Sequence, residues 1–427
     1  MEDYVKRIIS ALCALCIFSA TAFALSAPHF SGYTGILGTI TNSNEDTDFA
    51  PDFRAEGFFA GQFDFGGKFL ARTELYVKTD NILDDSLFND TNATFRVKEL
   101  SFTYRLDSYM VSHFFNFFLG NYEPIGSDLF LQRQFGIQST TSHIMESWNG
   151  IAGATIYPLY GIGGAYVLRA EEPLAFGLYA FANKADEQNN ITTDNILNID
   201  LRFACAYSNF ALDISAGLAF PQESQIAETG QDVVLLIRTE KLHAGLTMLL
   251  GNKYSNSLFF QFGFTDMDLN PSSNGATDFS AKKIYLFIEP RFSLPLCTLA
   301  VSLFSLPGTS VQDMLYLADQ GSDEKTLKNR STLGLALTAS TERFYIGNVN
   351  IGLGVHFIAA FRDRNFKDLI DSPSTIMDWT RDIYLTPFVS IPVGGGAIKA
   401  SFTVNASEFG DNWRAAFRGT LGYRTQI

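Results

Sequence analysis

The segment NWRAAFRGTLGYRTQI, Asn412 to Ile427, decides how the chain is read. Its odd positions are Trp413, Ala415, Phe417, Gly419, Leu421, Tyr423, Thr425 and Ile427. Its even positions carry Arg414, Arg418 and Arg424 among small and polar residues. Successive side chains of a strand point to opposite faces, so a strand over 412–427 has one apolar face and one face with three arginines. The same alternation recurs along the chain. Repeated strands with an apolar face and aromatic ends predict an all-β fold: a transmembrane antiparallel up-and-down β-barrel.

Composition agrees. Hydrophobic residues make up 46% of the chain, with 40 Phe and 17 Tyr, while charged residues make up only 18%. The aromatics recur at every second position instead of gathering in one core-like stretch, which is the pattern of an outer surface that meets lipid. The net charge of −14 leaves no basic stripe to neutralise phosphates and argues against nucleic acid as a partner. Acids cluster in polar connections, for example Glu45, Asp46, Asp48 and Asp52, then Asp80, Asp84, Asp85 and Asp90, and read as solvated loops.

The N-terminus reads as a targeting segment. Lys6 and Arg7 precede an apolar run to about Phe23, and Ala22-Phe23-Ala24 fits a small-x-small cleavage site. The expected division is a signal peptide over 1–24 and a single barrel domain over 25–427. Cys205 and Cys297 remain in that domain, each placed on the apolar face of a strand. Two free thiols are expected, with no disulfide and no metal site.

Turn-forming clusters cut the chain into strand-sized pieces. Phe53 to Phe65 sets Phe59, Phe63 and Phe65 against Arg54, Glu56, Gln62 and Asp64, and Gly66-Gly67 turns the chain into Phe69–Val77. Further on, Leu100, Phe102, Tyr104 and Leu106 oppose Glu99, Ser101, Thr103 and Arg105. Long connections are expected near 42–52, 80–93, 122–148, 183–195, 220–231, 266–281, 307–329 and 362–379, with tight turns between them. The count is about 18 strands, within a range of 16 to 20. An even number is favoured because an unpaired edge in lipid is costly.

On this pattern the chain resembles an outer-membrane porin or porin-like barrel of diderm bacteria, over essentially the whole of 25–427. The resemblance implies a cell outer membrane location, contact with outer-membrane lipid, and recognition of strand 412–427 by the barrel-assembly machinery. Ile427 stands where that family usually ends on an aromatic. The resemblance also implies that the third long connection, 122–148, folds into the lumen and narrows it. Its Glu123, Asp128 and Arg133 are the candidate constriction residues.

The strand phases give the candidate pore wall: Arg54 with Glu56, Arg72 with Glu74, Arg105, Asp200 with Arg202, Glu289 with Arg291, and Arg414 with Arg418. Residues two apart share a face, so these groups serve either as salt-bridge ladders bracing the wall or as the charged lining of a water-filled pore. Five histidines, His29, His113, His143, His243 and His356, show no ligand spacing, and neither a catalytic group nor a cofactor is expected. Three functions remain open. The first is passive diffusion of small hydrophilic solutes or ions. The second, by likeness to the long-chain fatty-acid channels, is transport of hydrophobic molecules. The third is a surface adhesin barrel with acidic loops. Solute identity and oligomeric state are not legible.

Overall fold

A computed structural model describes residues 29–42, 51–82, 93–148, 155–183, 193–226, 231–237, 240–252, 255–269, 280–311, 314–317, 331–346, 349–409 and 416–427. The expected signal peptide over 1–24 lies outside this set, as does Arg414.

Strand alternation builds a ring. Its first half consists of β1 (His29–Asn42), β2 (Pro51–Asp64), β3 (Phe69–Thr79), β4 (Ala93–Asp107), β5 (Val111–Asn121), β6 (Tyr160–Ala170), β7 (Leu174–Asn183), β8 (Thr193–Tyr207) and β9 (Phe210–Ile226). Then come β10 (Gln231–Ile237), β11 (Lys241–Leu250), β12 (Ser257–Asp268), β13 (Ile284–Ser293), β14 (Thr298–Pro307), β15 (Ser331–Ile346), β16 (Val349–Arg362), β17 (Arg381–Val393), β18 (Gly396–Asn405) and β19 (Phe417–Gln426). Both β10 and β11 pair with β9, at Gln231↔Ile226 and then at Lys241↔Ala219, so together they form one interrupted stave. The 19 runs of strand therefore make an 18-stave barrel. It closes where β1 pairs antiparallel with β19, from Tyr33↔Gln426 to Thr41↔Arg418.

Turn chemistry fits the short side of this ring. Gly66 and Gly67 hold φ of 86° and 78° between β2 and β3, a left-handed backbone that other residues adopt at a cost. Two details differ from the sequence reading. The connection expected over 220–231 is largely strand, because β9 runs on to Ile226 and β10 starts at Gln231. A hairpin extended past the lipid no longer needs an apolar face, so its polar residues read as loop. Cys297 sits in the turn between β13 and β14, where its carbonyl accepts from the Leu294 amide at 2.9 Å, and not on a strand face. Pro295 cannot donate to a ladder and ends the apolar run there. Both thiols are free, and Cys205 is buried.

The two faces of the wall are chemically distinct. Phe95, Leu201 and Leu421 are each more than 60% exposed, and Phe115, Phe117 and Leu119 continue the same outward row. On β4 the intervening Glu99, Ser101 and Thr103 are buried on the inner side. The inner face is not uniformly polar. Phe118, Phe181, Phe259, Phe287 and Phe304 also point inward and are fully buried, so protein, not water, covers them.

Leu201 lies mid-strand on the exposed face. Leu201→Arg is expected to cost about 2–4 kcal/mol in reversible denaturant unfolding from lipid vesicles, and Leu201→Ile almost nothing.

Candidate functional site

The cover for those inward aromatics comes from the connection between β5 and β6. Its first turn needs unusual backbone. Glu123 has φ 49°, and Gly126 has φ 89° where a Cβ would come within 2.7 Å of Ile156. A short helix α1 (Leu129–Phe135) follows and ends at Gly136 in the left-handed conformation. Tyr122, Ile125, Leu129, Phe130, Leu131, Ile144, Met145 and Trp148 are all buried.

Polar contacts tie this segment to staves all round the ring. Arg133 donates to Glu99 on β4 at 2.6 Å and to Glu123 at 3.4 Å. Tyr179 on β7 donates to Glu123 at 2.8 Å, and Arg202 on β8 donates to the Glu123 carbonyl at 2.7 Å. Gln261 on β12 donates to the Gly126 carbonyl at 2.7 Å. Ser142 donates to Glu289 on β13, and Arg291 donates to the Thr140 carbonyl at 3.0 Å. Lys399 on β18 pairs with Glu146. Trp148 lies against Gly422 of β19, where a Cβ would stand 2.5 Å from its ring. A second segment joins it: the Leu315 amide donates to the Glu146 carbonyl at 2.8 Å, and the Tyr316 ring lies 4.5 Å from that of His356 on β16.

The pairs of Arg133 and Arg202 are buried, that of Lys399 only partly, and the geometry of the buried ones compensates for desolvation. Arg202 binds Asp213 through Nε and Nη2, at 2.8 and 2.5 Å, while its guanidinium covers the Phe130 ring at 4.6 Å. Such a bidentate fork supplies the hydrogen bonds that a buried carboxylate needs.

A cavity of about 420 Å³ remains beside α1, between it and β1–β6, in the half of the barrel nearer the tight turns. Arg72, Arg105, Arg133 and Arg169 line it, with Asp64, Glu74 and Glu99. Arg169 donates to the Gln134 carbonyl at 2.8 Å, and Arg72 donates to Gln62 at 2.8 Å. The Phe114 ring lies between the Arg105 and Arg169 guanidiniums, at 5.8 and 5.3 Å. Arg105 is answered by Asp107 at 2.7 Å, whereas the contact of Arg169 is the neutral Gln134 carbonyl.

The candidate residues therefore separate. Arg72, Glu74, Arg105 and Arg133 meet at the cavity. Arg54 pairs with Asp52 at 2.6 Å and Glu56 with Lys78 at 3.6 Å, nearer the long-loop end of the wall. Glu289 and Arg291 bond directly at 2.7 Å, whereas Asp200 and Arg202 turn to His243 and Asp213 on other staves. Arg418 is half-buried on β19. Glu123 and Asp128 are buried within the connection itself. Sequence reasoning missed Arg169, Asn116 and Gln134 at the cavity. The inward phase of Arg169, close to a turn, was the available signal.

A closed ring with an apolar exterior and charged groups inside is a transmembrane β-barrel of porin-like architecture. No family model and no curated protein matches the chain. Among solved structures it is similar to OmpF of Salmonella typhi, at 11% identity over 94% of this chain and 97% of that one, with a TM-score of 0.40. The outer membrane protein OpdK from Pseudomonas aeruginosa aligns at 10% identity over 93% and 99%, with a TM-score of 0.48. A mutant of the Rh. blastica porin aligns at 11% over 94% and 100%, with a TM-score of 0.41.

Arg202→Met strands Asp213 in a buried setting and is expected to cost about 3–5 kcal/mol. Adding Asp213→Leu is expected to restore most of that loss, as read by denaturant unfolding of the two variants side by side.

Proposed function

We propose that the protein is an outer-membrane channel for passive diffusion of small hydrophilic solutes or ions, narrowed by the connection 122–148. The observation that carries this reading is the charged cavity of about 420 Å³ left beside α1, while the apolar part of the inner wall is covered by the connection's own side chains. Its volume falls within the range of small-molecule sites, roughly 300–1,000 Å³. The solute route then runs off-axis, along β1–β6. Hydrophobic transport is disfavoured because the inward aromatics, Phe118, Phe259 and Phe287 among them, are already packed.

Two of the four arginines that line the cavity are answered by carboxylates, Arg133 by Glu99 and Arg105 by Asp107, which leaves Arg72 and Arg169 toward the open volume with Asp64 and Glu74. Sorting by size follows, with a lean toward anions where Arg72 and Arg169, each bonded to a neutral oxygen, face the open volume. The wall candidates Arg54, Glu56, Glu289 and Arg291 act as braces in this reading, since each is held in an ion pair.

Planar-bilayer recording tests the proposal. Refolded protein is expected to give stable unitary steps and an anion-leaning reversal potential in a potassium chloride gradient. Arg72→Ala with Arg169→Ala is expected to lower the anion-to-cation permeability ratio at least about threefold, the range of a modest change in local potential. A folded barrel that passes no current under any gradient would overturn the channel reading.

A further inference from the structure

We infer that Asp128 is the positioning residue that fixes the fold of the connection beside the cavity, and through it the standoff of α1 from β4–β6. The inference rests on the reading of that cavity as the solute route.

Asp128 occupies the position just before α1, where an acid ordinarily caps its own helix by accepting from the first-turn amides. Here its side chain makes no such bond. It reaches instead to residues beyond the far end of the helix. Its Oδ2 accepts from the Ser139 hydroxyl at 2.9 Å, the Thr140 amide at 2.6 Å, the Thr141 amide at 2.8 Å and the Thr141 hydroxyl at 2.5 Å. Its Oδ1 accepts from the Thr140 hydroxyl at 3.0 Å. Five donors on one carboxylate, itself only 2% exposed, close a lariat over residues 128–141.

The lariat has consequences at both of its ends. On one side α1 presents Arg133 to Glu99 and the Gln134 carbonyl to Arg169, so the helix forms a wall of the cavity. On the other side the returned strand places the Thr140 carbonyl on Arg291 and the Ser142 hydroxyl on Glu289. Gly136, Gln138 and Ser139 are exposed, and Phe135 and Ile137 are only partly buried against the core, so the polar clasp carries much of the return. Bonds to a charged, buried acceptor are the strong kind, and without them the return has few other ties on the α1 side.

The test compares wild type, Asp128→Ala and Asp128→Asn, each refolded in detergent micelles and checked for the compact, heat-modifiable barrel. Chymotryptic cutting after Phe135 reads the lariat directly. Unitary conductance and reversal potential read the cavity. Asp128→Ala is expected to cut at least about tenfold faster, the scale set by losing bonds to a charged acceptor, with conductance shifted about twofold and ion preference changed. Asp128→Asn keeps one carbonyl acceptor and is expected to fall between the two. If Asp128→Ala does not fold, Thr140→Val with Thr141→Val removes two hydroxyl donors, keeps the carboxylate, and is expected to speed the same cut. Faster cutting in a protein that never conducts would sink the channel reading and leave Asp128 as the clasp of the connection. Unchanged cutting in a folded Asp128→Ala barrel, or in the double valine variant, overturns the inference.

Discussion

Backbone hydrogen bonds in lipid have no substitute, and this one constraint organises the chain. Each stave must be paired on both sides, so the last must find the first. β19 meets β1 over nine residue pairs, in a register that sets Tyr423 beside Ile36 and Arg424 beside Gly35. A one-residue slip would turn Leu421 inward and Arg418 and Arg424 toward lipid, so the arginines on the inner face help fix the register that closes the ring. Glycine at position 35 leaves room for the Phe58 ring, over which the Arg424 guanidinium lies at 5.3 Å.

Closing the ring raises a second problem. The inner face carries Phe118, Phe181, Phe259, Phe287 and Phe304, which water would not cover without cost. The β5–β6 connection supplies Ile125, Phe130, Ile144 and Met145 against them, and the ion pairs of Arg133, Arg202 and Lys399 tie it to the wall. Burial of these charges is tolerable because each is answered by a carboxylate at short range. The wall and its filling are therefore one packed unit, and the open volume is the part that the packing leaves over.

The barrel was legible because period-two alternation is a local property that each strand displays alone. Even the odd count of 19 strand runs resolves to the expected 18 staves, since Val233–Leu250 reads as one run in sequence and falls within one interrupted stave in space. The filling was harder to see, although a signal for it exists. Adjacent phenylalanines at 58–59, 114–115, 117–118 and 259–260 place an aromatic on both faces of a strand. In a barrel with a wet lumen the inward member of each pair would be exposed, so these doublets mark where protein covers the inner wall.

Partner choice among the inward charges was not legible at all, and the reason is geometric. Residues two apart share a face and lie roughly 6.6 Å apart along the strand, and diagonal neighbours on paired staves lie at a comparable distance of about 7–8 Å, so long side chains can choose either. Cross-strand register therefore competes with sequence proximity. Arg202 lies two register positions from Asp213, whose own partner is Ala204, and takes it in preference to Asp200 because its fork reaches both carboxylate oxygens there. Asp200 then goes to His243, two staves away. Glu289 and Arg291 keep the bond suggested by their spacing. The cavity arginines follow the same logic in reverse. Arg72 faces Gln62 across its pair, and Arg169 faces Ser112. Neither register neighbour is an acid, and that is why positive charge is left for the open side of the lumen.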